Sequence, residues 1–331
     1  MKRKILFAVA LLATMTAAAQ NIAAVSPSNA TTIFQTLDEA IAGAESGSTI
    51  YLPGGGFQIK DETKINKKLT IMGVSHRGDT DNVDGATVIS GNLHFEGGSS
   101  GSAILGIYVS GNINIGTEND SVTNFTVRYC NVNSIQVKHS QSSGMVVNQC
   151  YLRNESDFGL TNVKLDNCLV HSMANINGGR INHNIVTSAN SNHRYYGGYY
   201  YYRPIHFVSN STIINNFFLT WGKGIDCETF QVLNNCIGTE SWGENPVTLD
   251  EGTTWDDVFY ANKGVSISSD YRLKGKWGKG AATDGSDIGI YGGTGFKDES
   301  LVPIPRIISK KVSESTDESG KLQIVVKVKA Q

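Results

Sequence analysis

The chain has 331 residues, with 28 Lys and Arg against 30 Asp and Glu and a formal net charge of −2. A balance this close to neutral, without a basic cluster, gives no electrostatic pull towards nucleic acid or anionic membranes, so neither is expected as a partner. Thirty-six Gly against six Pro, with abundant Asn, Ser and Thr, suit an all-β chain with many tight turns and exclude a mainly helical one.

Residues 1–19 read as a secretory signal peptide: Lys2, Arg3 and Lys4 form a basic head, residues 5–12 an apolar stretch, and Ala17, Ala18 and Ala19 a small-residue cleavage site. No later run is long and apolar enough to span a bilayer. The expectation is an exported protein without membrane insertion, whether periplasmic, cell-surface or secreted. Beyond it, Thr36 and Glu39 have the spacing of a capping box, and Leu37, Ala40, Ile41 and Ala44 share one helical face. A short amphipathic helix is predicted there.

Further along, the chain repeats itself. The windows SAILGIYVSG, FTVRYCNVNS, MVVNQCYLRN, VKLDNCLVHS, GRINHNIVTS, STIINNFFLT and FQVLNNCIGT start at residues 102, 125, 145, 163, 179, 211 and 230. Their third column (Ile104, Val127, Val147, Leu165, Ile181, Ile213, Val232) and eighth column (Val109, Val132, Leu152, Val170, Val186, Phe218, Ile237) contain no polar exception. The sixth holds Ile107, Cys130, Cys150, Cys168, Asn184, Asn216 and Asn235. This is the pattern of two short strands joined by a bend. Asn tolerates a left-handed backbone and its amide bonds to the equivalent residue one layer away, while Cys fits the same inside corner as a small buried thiol. Five Cys is an odd number, and their spacing follows the repeat instead of a disulfide framework, so they read as buried thiols. Without CxxC pairs no metal site is assigned.

The "NN" and "NC" bends flanked by V-x-I strands resemble the pectate lyase-like right-handed parallel β-helix superfamily. TLDEAIAGAESGSTIYLPGGGFQI (36–59) followed by KKLTIMGV (67–74) is similar to the opening of many such proteins, and DGSDIGIYGG (284–293) to the segment that often finishes their coils. The resemblance implies an all-β, three-sided solenoid over residues 20–300, closed at its start by the capping helix. A C-terminal β tail follows over residues 301–331, where KLQIVVKVKAQ alternates apolar and polar residues. Paired with IISKKVSE it makes a hairpin, half-buried against the end of the barrel, or alternatively a docking strand for a protein partner.

In such a coil a third strand lies between windows, and alternation assigns its outward residues. Ile135 and Val137 inward leave Gln136 and Lys138 outward; Phe158 and Leu160 inward leave Asp157 outward; Ile205 and Phe207 inward leave His206 outward. Ile225 and Cys227 inward leave Asp226 and Glu228 outward, and Val247 and Leu249 inward leave Asp250 outward. With parallel strands about 4.8 Å apart, His206, Asp226, Glu228 and Asp250 fall on consecutive rungs as candidate acid, base or calcium ligands. Calcium is the one candidate cofactor. The competing reading is a solvated polar face. The longest interval carries SNHRYYGGYYYYRP, in which Tyr195, Tyr196, Tyr199, Tyr200, Tyr201 and Tyr202 are suited to stacking on sugars, and Arg194 and Arg203 to pairing with uronate carboxylates. The same residues suit a protein contact.

The enzyme motifs of the superfamily are not reproduced. Asp256-Asp257 stands without NTD, GHG or RIK partners, and Arg203-Pro204 is a fragment of an Arg-x-Pro-x-x-Arg pattern. Two functions follow as expectations: polysaccharide binding along one face, with cleavage by hydrolysis or elimination, or a non-catalytic surface or interaction protein built on a rigid scaffold.

Overall fold

The computed structural model describes residues 21–77, 85–187, 195–196, 199–200, 205–219, 232–238, 245–261, 269–296, 302, 306–316 and 319–329. The predicted signal peptide lies outside them.

The N-terminal strand Ile22–Val25 is antiparallel to Thr31–Phe34 on one side and to Thr49–Tyr51 on the other. The helix α1 (Leu37–Gly43) follows, started as the sequence predicts: the Thr36 hydroxyl accepts from the Glu39 amide, and the Glu39 carboxylate accepts from the Thr36 amide, both at 3.2 Å. Such a box is worth about 1 kcal/mol. Leu37, Ala40, Ile41 and Ala44 are all buried, so the apolar stripe of α1 joins the core where the parallel strands begin.

From Thr49 onward, successive segments stack in parallel and in register. A first ladder runs from Thr49–Tyr51 through Thr70–Met72, Ala103–Leu105, Thr126–Arg128, Met145–Asn148, Val163–Asp166 and Arg180–Asn182 to Thr212–Ile214. A second ladder includes Thr87–Ser90, Tyr108–Val109, Asn131–Val132, Tyr151–Leu152, Leu169–Val170, Ile185–Val186 and Phe217–Phe218. A third, of seven strands, runs from Lys64–Ile65 through Leu93–Phe95, Ile113–Ile115, Ile135–Val137, Ser156–Thr161 and Met173–Asn177 to Ile205–Ser209. The architecture is all-β, with long stacked parallel sheets consistent with a parallel β-helix and two short helices among the described residues. In the six windows that start at residues 102 to 211, the third-column and eighth-column side chains fill one continuous core, each contributing roughly 1.5–3 kcal/mol by leaving water.

The corner between the first two ladders is where the sequence pattern is most informative. Gly106, Tyr129, Gln149, Asn167, His183 and Asn215, the fifth column, all have φ between 53° and 66°. The left-handed residue is therefore the one before the sixth position, not the sixth itself as the Asn argument suggested. Turning the chain one residue earlier aims the sixth side chain into the core. There the side chains form a file in which each donates to the third-column carbonyl of the preceding coil: Cys130 to Ile104 (3.6 Å), Cys150 to Val127 (3.5 Å), Cys168 to Val147 (3.7 Å), Asn184 to Leu165 (2.8 Å) and Asn216 to Ile181 (2.9 Å). The four described cysteines are buried thiols that form no disulfide among themselves.

The last window is displaced by one residue from the predicted alignment. Ile213 pairs with Leu233 instead of Val232, and Phe217 with Ile237. Cys236, not Asn235, continues the file: the Asn216 amide is 3.8 Å from its sulfur, which lies 3.8 Å from the Ile213 carbonyl.

The segment after Thr254 returns along the outside of the second ladder. The helix α2 (Trp255–Val258) is followed by Phe259–Ala261, antiparallel to Asp270–Leu273. Phe217, Trp255, Phe259 and Tyr271 pack edge-to-face or stacked with ring centroids 5.2–6.2 Å apart. This second cluster also takes in Leu169, Ile185, Ile288, Ile290 and Phe296. The stretch 284–293 thus covers the side of the coils, and its glycines let it lie close. A Cβ on Gly292 would stand 1.8 Å from the Asp287 carbonyl and 2.4 Å from His183 Nδ1.

The C-terminal tail forms the expected hairpin, Arg306–Thr316 antiparallel to Leu322–Lys329. It is not half-buried. Leu322, Ile324, Val325, Val326 and Val328 are 44–55% exposed, because apolar residues stand on both faces of a two-stranded ribbon that can cover neither.

Candidate functional site

The outward row of the third ladder is polar and continuous: Lys64, His94, Asn114, Gln136 and Asp157 stand in register on successive strands, followed by Ala174 and His206. The rungs bond to one another and to the neighbouring corner. Asp61 accepts from Asn92 (3.0 Å) and pairs with His94 (3.1 Å), and these bonds, the Asn92 one foremost, hold its carboxyl below the usual range. The Gln136 amide donates to the Glu155 carbonyl at 3.1 Å, and Asn175 to Asp157 at 2.9 Å.

His206 points outward as predicted, but its carboxylate partner is Glu155, which the strand pattern did not single out. Glu155 Oε2 lies 3.7 Å from His206 Nε2, with the two side chains 18% and 13% exposed. Glu155 sits at the corner that enters the third ladder, two coils before His206. The intervening strand presents Ala174 in register with His206, so nothing longer than a methyl group fills the gap. Ser172 Oγ donates to Glu155 at 3.5 Å and lies 3.2 Å from His171 Nδ1. Burial holds the His171 imidazole below its ordinary pKa, with the Glu155 charge opposing. One imidazole and one hydroxyl thus flank a half-buried carboxylate, with a second imidazole behind the hydroxyl, groups of the kind used in proton transfer.

The other predicted residues fare differently. Asp250 is not on this face: Asn245–Thr248, just before it, pairs with Val232–Gly238, Ile237 facing Val247, and exposed Asp250 bonds Lys276 at 2.8 Å. The strand assignment failed because the third-strand pattern was extended past the last coil. Asp226, Glu228, Arg194, Tyr201, Tyr202 and Arg203 lie outside the described residues. Tyr195–Tyr196 and Tyr199–Tyr200 pair as a small antiparallel ribbon, an element that leads directly to the strand bearing His206. Phe207, predicted inward, is instead left-handed (φ 52°) and half-buried, and Val208 takes the core position beside Ile176. Asn175, its neighbour on the preceding strand, is left-handed too (φ 57°), so the two strands deviate together and keep their register.

Among the described residues no three His, Cys, Asp or Glu side chains gather as a metal site requires, and no helix is long and apolar enough to cross a membrane. Glu155 was missed because it lies in a turn, where alternation carries no directional information. The usable signal was the small residue Ala174 in an otherwise polar outward row. Comparison with protein-family models, curated proteins and solved structures finds no match for this chain.

Proposed function

We propose that the chain is an exported right-handed β-helix of the pectate lyase-like kind that binds polysaccharide along its third ladder, with Glu155 and His206 at the reactive end. The observation that carries this reading is the Glu155–His206 pair across Ala174, set at the end of an outward row of His, amide and carboxylate groups. From His94 to His206 that row spans about 24 Å at the parallel-strand spacing, room for several sugar rings of an extended chain. Amides and carboxylates in such a row offer each ring both donors and acceptors. Glu155 would take or return the proton at the cleaved bond, with the His206 imidazole beside it. The Tyr195–Tyr202 stretch would supply stacking surface, with Arg194 and Arg203 for uronates. Asp226 and Glu228 remain the candidates for a calcium ion on the following rung.

The test is a glycan-array and polysaccharide-digestion screen of the purified protein, with and without calcium, alongside Glu155→Gln and His206→Ala. Binding that survives in Glu155→Gln while cleavage is lost supports a catalytic face. A protein that neither binds nor cuts any polysaccharide overturns the reading. One feature favours the second reading, a non-catalytic interaction protein: the hairpin with apolar residues on both faces has strand edges open to a partner's sheet.

A further inference from the structure

The near-neutral total of the chain conceals a separation of charge. Between residues 20 and 305 there are 19 Lys and Arg against 27 Asp and Glu, whereas residues 306–331 carry six against three. All six of those cations, Arg306, Lys310, Lys311, Lys321, Lys327 and Lys329, belong to the stretches 306–312 and 321–329, which contain no acid. Glu314, Asp317 and Glu318 stand towards the turn of the ribbon. The C-terminal hairpin is therefore a basic appendage on an acidic body.

Its two faces differ. Leu322, Ile324, Val326 and Val328 alternate along the second strand, and Val312 is paired with Ile324, so these five share one face. The other face carries Lys311, paired with Val325, together with Gln323 and Lys327. The five apolar side chains of the first face are 42–55% exposed. The body of the same chain does not cover them, although Val302, buried against Gly106, tethers the hairpin beside that body at high local concentration. A second copy is a poor cover as well. Eight residues of a two-stranded ribbon present a face of about 27 Å by 10 Å, roughly 270 Å² where a stable interface takes about 800 Å² per partner, and two such ribbons would bring like charges together. An anionic lipid surface has neither defect. Aliphatic side chains lie at its acyl boundary while Lys stems carry their charge up to the phosphates. The open strand edges still need water, which the headgroup layer supplies and the bilayer core does not.

We propose that the hairpin is an interfacial anchor that holds the protein on an anionic lipid bilayer, with Val312, Leu322, Ile324, Val326 and Val328 at the acyl boundary and Lys311 and Lys327 reaching the phosphates. The ribbon lies on the bilayer and does not cross it. The acidic body is repelled by the same surface, which leaves the coils in water. Anchoring does not depend on polysaccharide binding at the third ladder.

The experiment is co-sedimentation of the purified full chain with vesicles of phosphatidylcholine alone or of an equimolar mixture of phosphatidylcholine and phosphatidylglycerol, at low and at high salt. The protein is expected to bind the mixed vesicles at low salt, and to bind at least about tenfold more weakly to phosphatidylcholine alone or at high salt. Two paired variants separate the two contributions. Ile324→Ser with Val326→Ser removes apolar contact, and Lys311→Gln with Lys327→Gln removes charge. All four side chains are exposed, so the variants fold, and each pair should weaken binding to the mixed vesicles about tenfold or more. Equal binding to both kinds of vesicle, binding to neither, or unchanged affinity in either variant would each overturn the proposal. A concentration-dependent dimer in the absence of lipid, lost in Ile324→Ser with Val326→Ser, would give the face to a second copy and overturn it as well.

Discussion

The inner corner of the coils is built twice, with thiols at Cys130, Cys150 and Cys168 and with amides at Asn184 and Asn216, although the backbone turns alike in both halves. In the thiol half the donor reaches the preceding coil at 3.5–3.7 Å; in the amide half it does so at 2.8–2.9 Å. The amide oxygen also accepts from the preceding coil's backbone, Cys168 N–H to Asn184 and Asn184 N–H to Asn216, each at 2.8 Å. The corresponding bond within the thiol half, Cys150 N–H to Cys168 sulfur, is 3.4 Å. The 283–294 segment covers the corner from the last thiol to both amides, through Asn167, His183 and Asn215. An amide in the file both donates and accepts at full strength, where a thiol does each only weakly.

The largest expected effect follows from that contrast. Asn216→Ala leaves the Asn184 N–H and the carbonyls of Ile181 and Ile214 without the partner they have now, three buried groups in one corner. The expected loss is about 4 kcal/mol, read from the urea unfolding midpoint. A loss as small as that of a thiol variant would show that the two halves are equivalent.

The thiol half has a cover of its own, and pH reveals it. His76 donates through Nδ1 to the carbonyl of Tyr129, the left-handed residue before Cys130, at 2.8 Å. Burial lowers its pKa from 6.5 to about 4, with the Tyr129 bond opposing and the Arg77 charge adding. Below pH 6.5 the unfolded chain binds a proton that the folded one refuses until about pH 4. Stability is therefore complete above that window and falls by roughly 3 kcal/mol as the pH drops through it. In His76→Gln, which keeps a donor for Tyr129, that part of the slope between pH 7 and pH 4 should vanish. An unchanged slope would remove His76 from the account.

Smaller again is the thiol itself. Cys150→Ala removes one long bond to Val127 and a small volume, an expected cost of about 1.5 kcal/mol. Burial pushes Cys130 and Cys168 well above the ordinary thiol pKa and Cys236 up to about 12, so these three cysteines should resist alkylation in the folded protein. Mass mapping after iodoacetamide treatment checks this. Modification of Cys130 or Cys168 without denaturant would mean that the corner opens.

The sequence carried the coils because stacking constrains it at every turn: a third-column or eighth-column side chain has nowhere to go but inward, and six windows repeat that demand. The capping helix and the hairpin are local, with their signals contained in a few residues. The slip in the last window has a local cause too. Val232 and Leu233 are both apolar and Asn234 and Asn235 are both amides, so two registers satisfied the pattern, and the sulfur of Cys236 beneath Asn216 decides between them. The site was legible only in part. His206 follows from alternation, whereas Glu155 lies in a turn. The return of the chain over the second ladder did leave a trace: Leu169-Val170, Ile185-Val186 and Phe217-Phe218 are consecutive apolar pairs where earlier coils have Tyr108-Val109 and Asn131-Val132. An apolar residue on the outward side of a strand requires a cover, and residues 255–259 and 271–296 supply it.

The hairpin gives the smallest expected effect and the clearest contrast with the corner. Its apolar residues face solvent on both sides, so they contribute little burial to the folded chain, and a two-stranded ribbon adds little stability of its own. Val302, by contrast, is 3% exposed and packs so closely on Gly106 that a Cβ there would stand 2.1 Å from its methyl group. The chain is therefore anchored to the coils just before the hairpin. Deleting residues 306–331 while keeping Val302 should shift the urea midpoint of the coils by less than about 0.5 kcal/mol, whereas Val302→Ala should cost about 1–2 kcal/mol. A large loss on removing the hairpin would mean that its apolar faces are covered in the folded chain, and the distinction between anchored coils and open hairpin would fail.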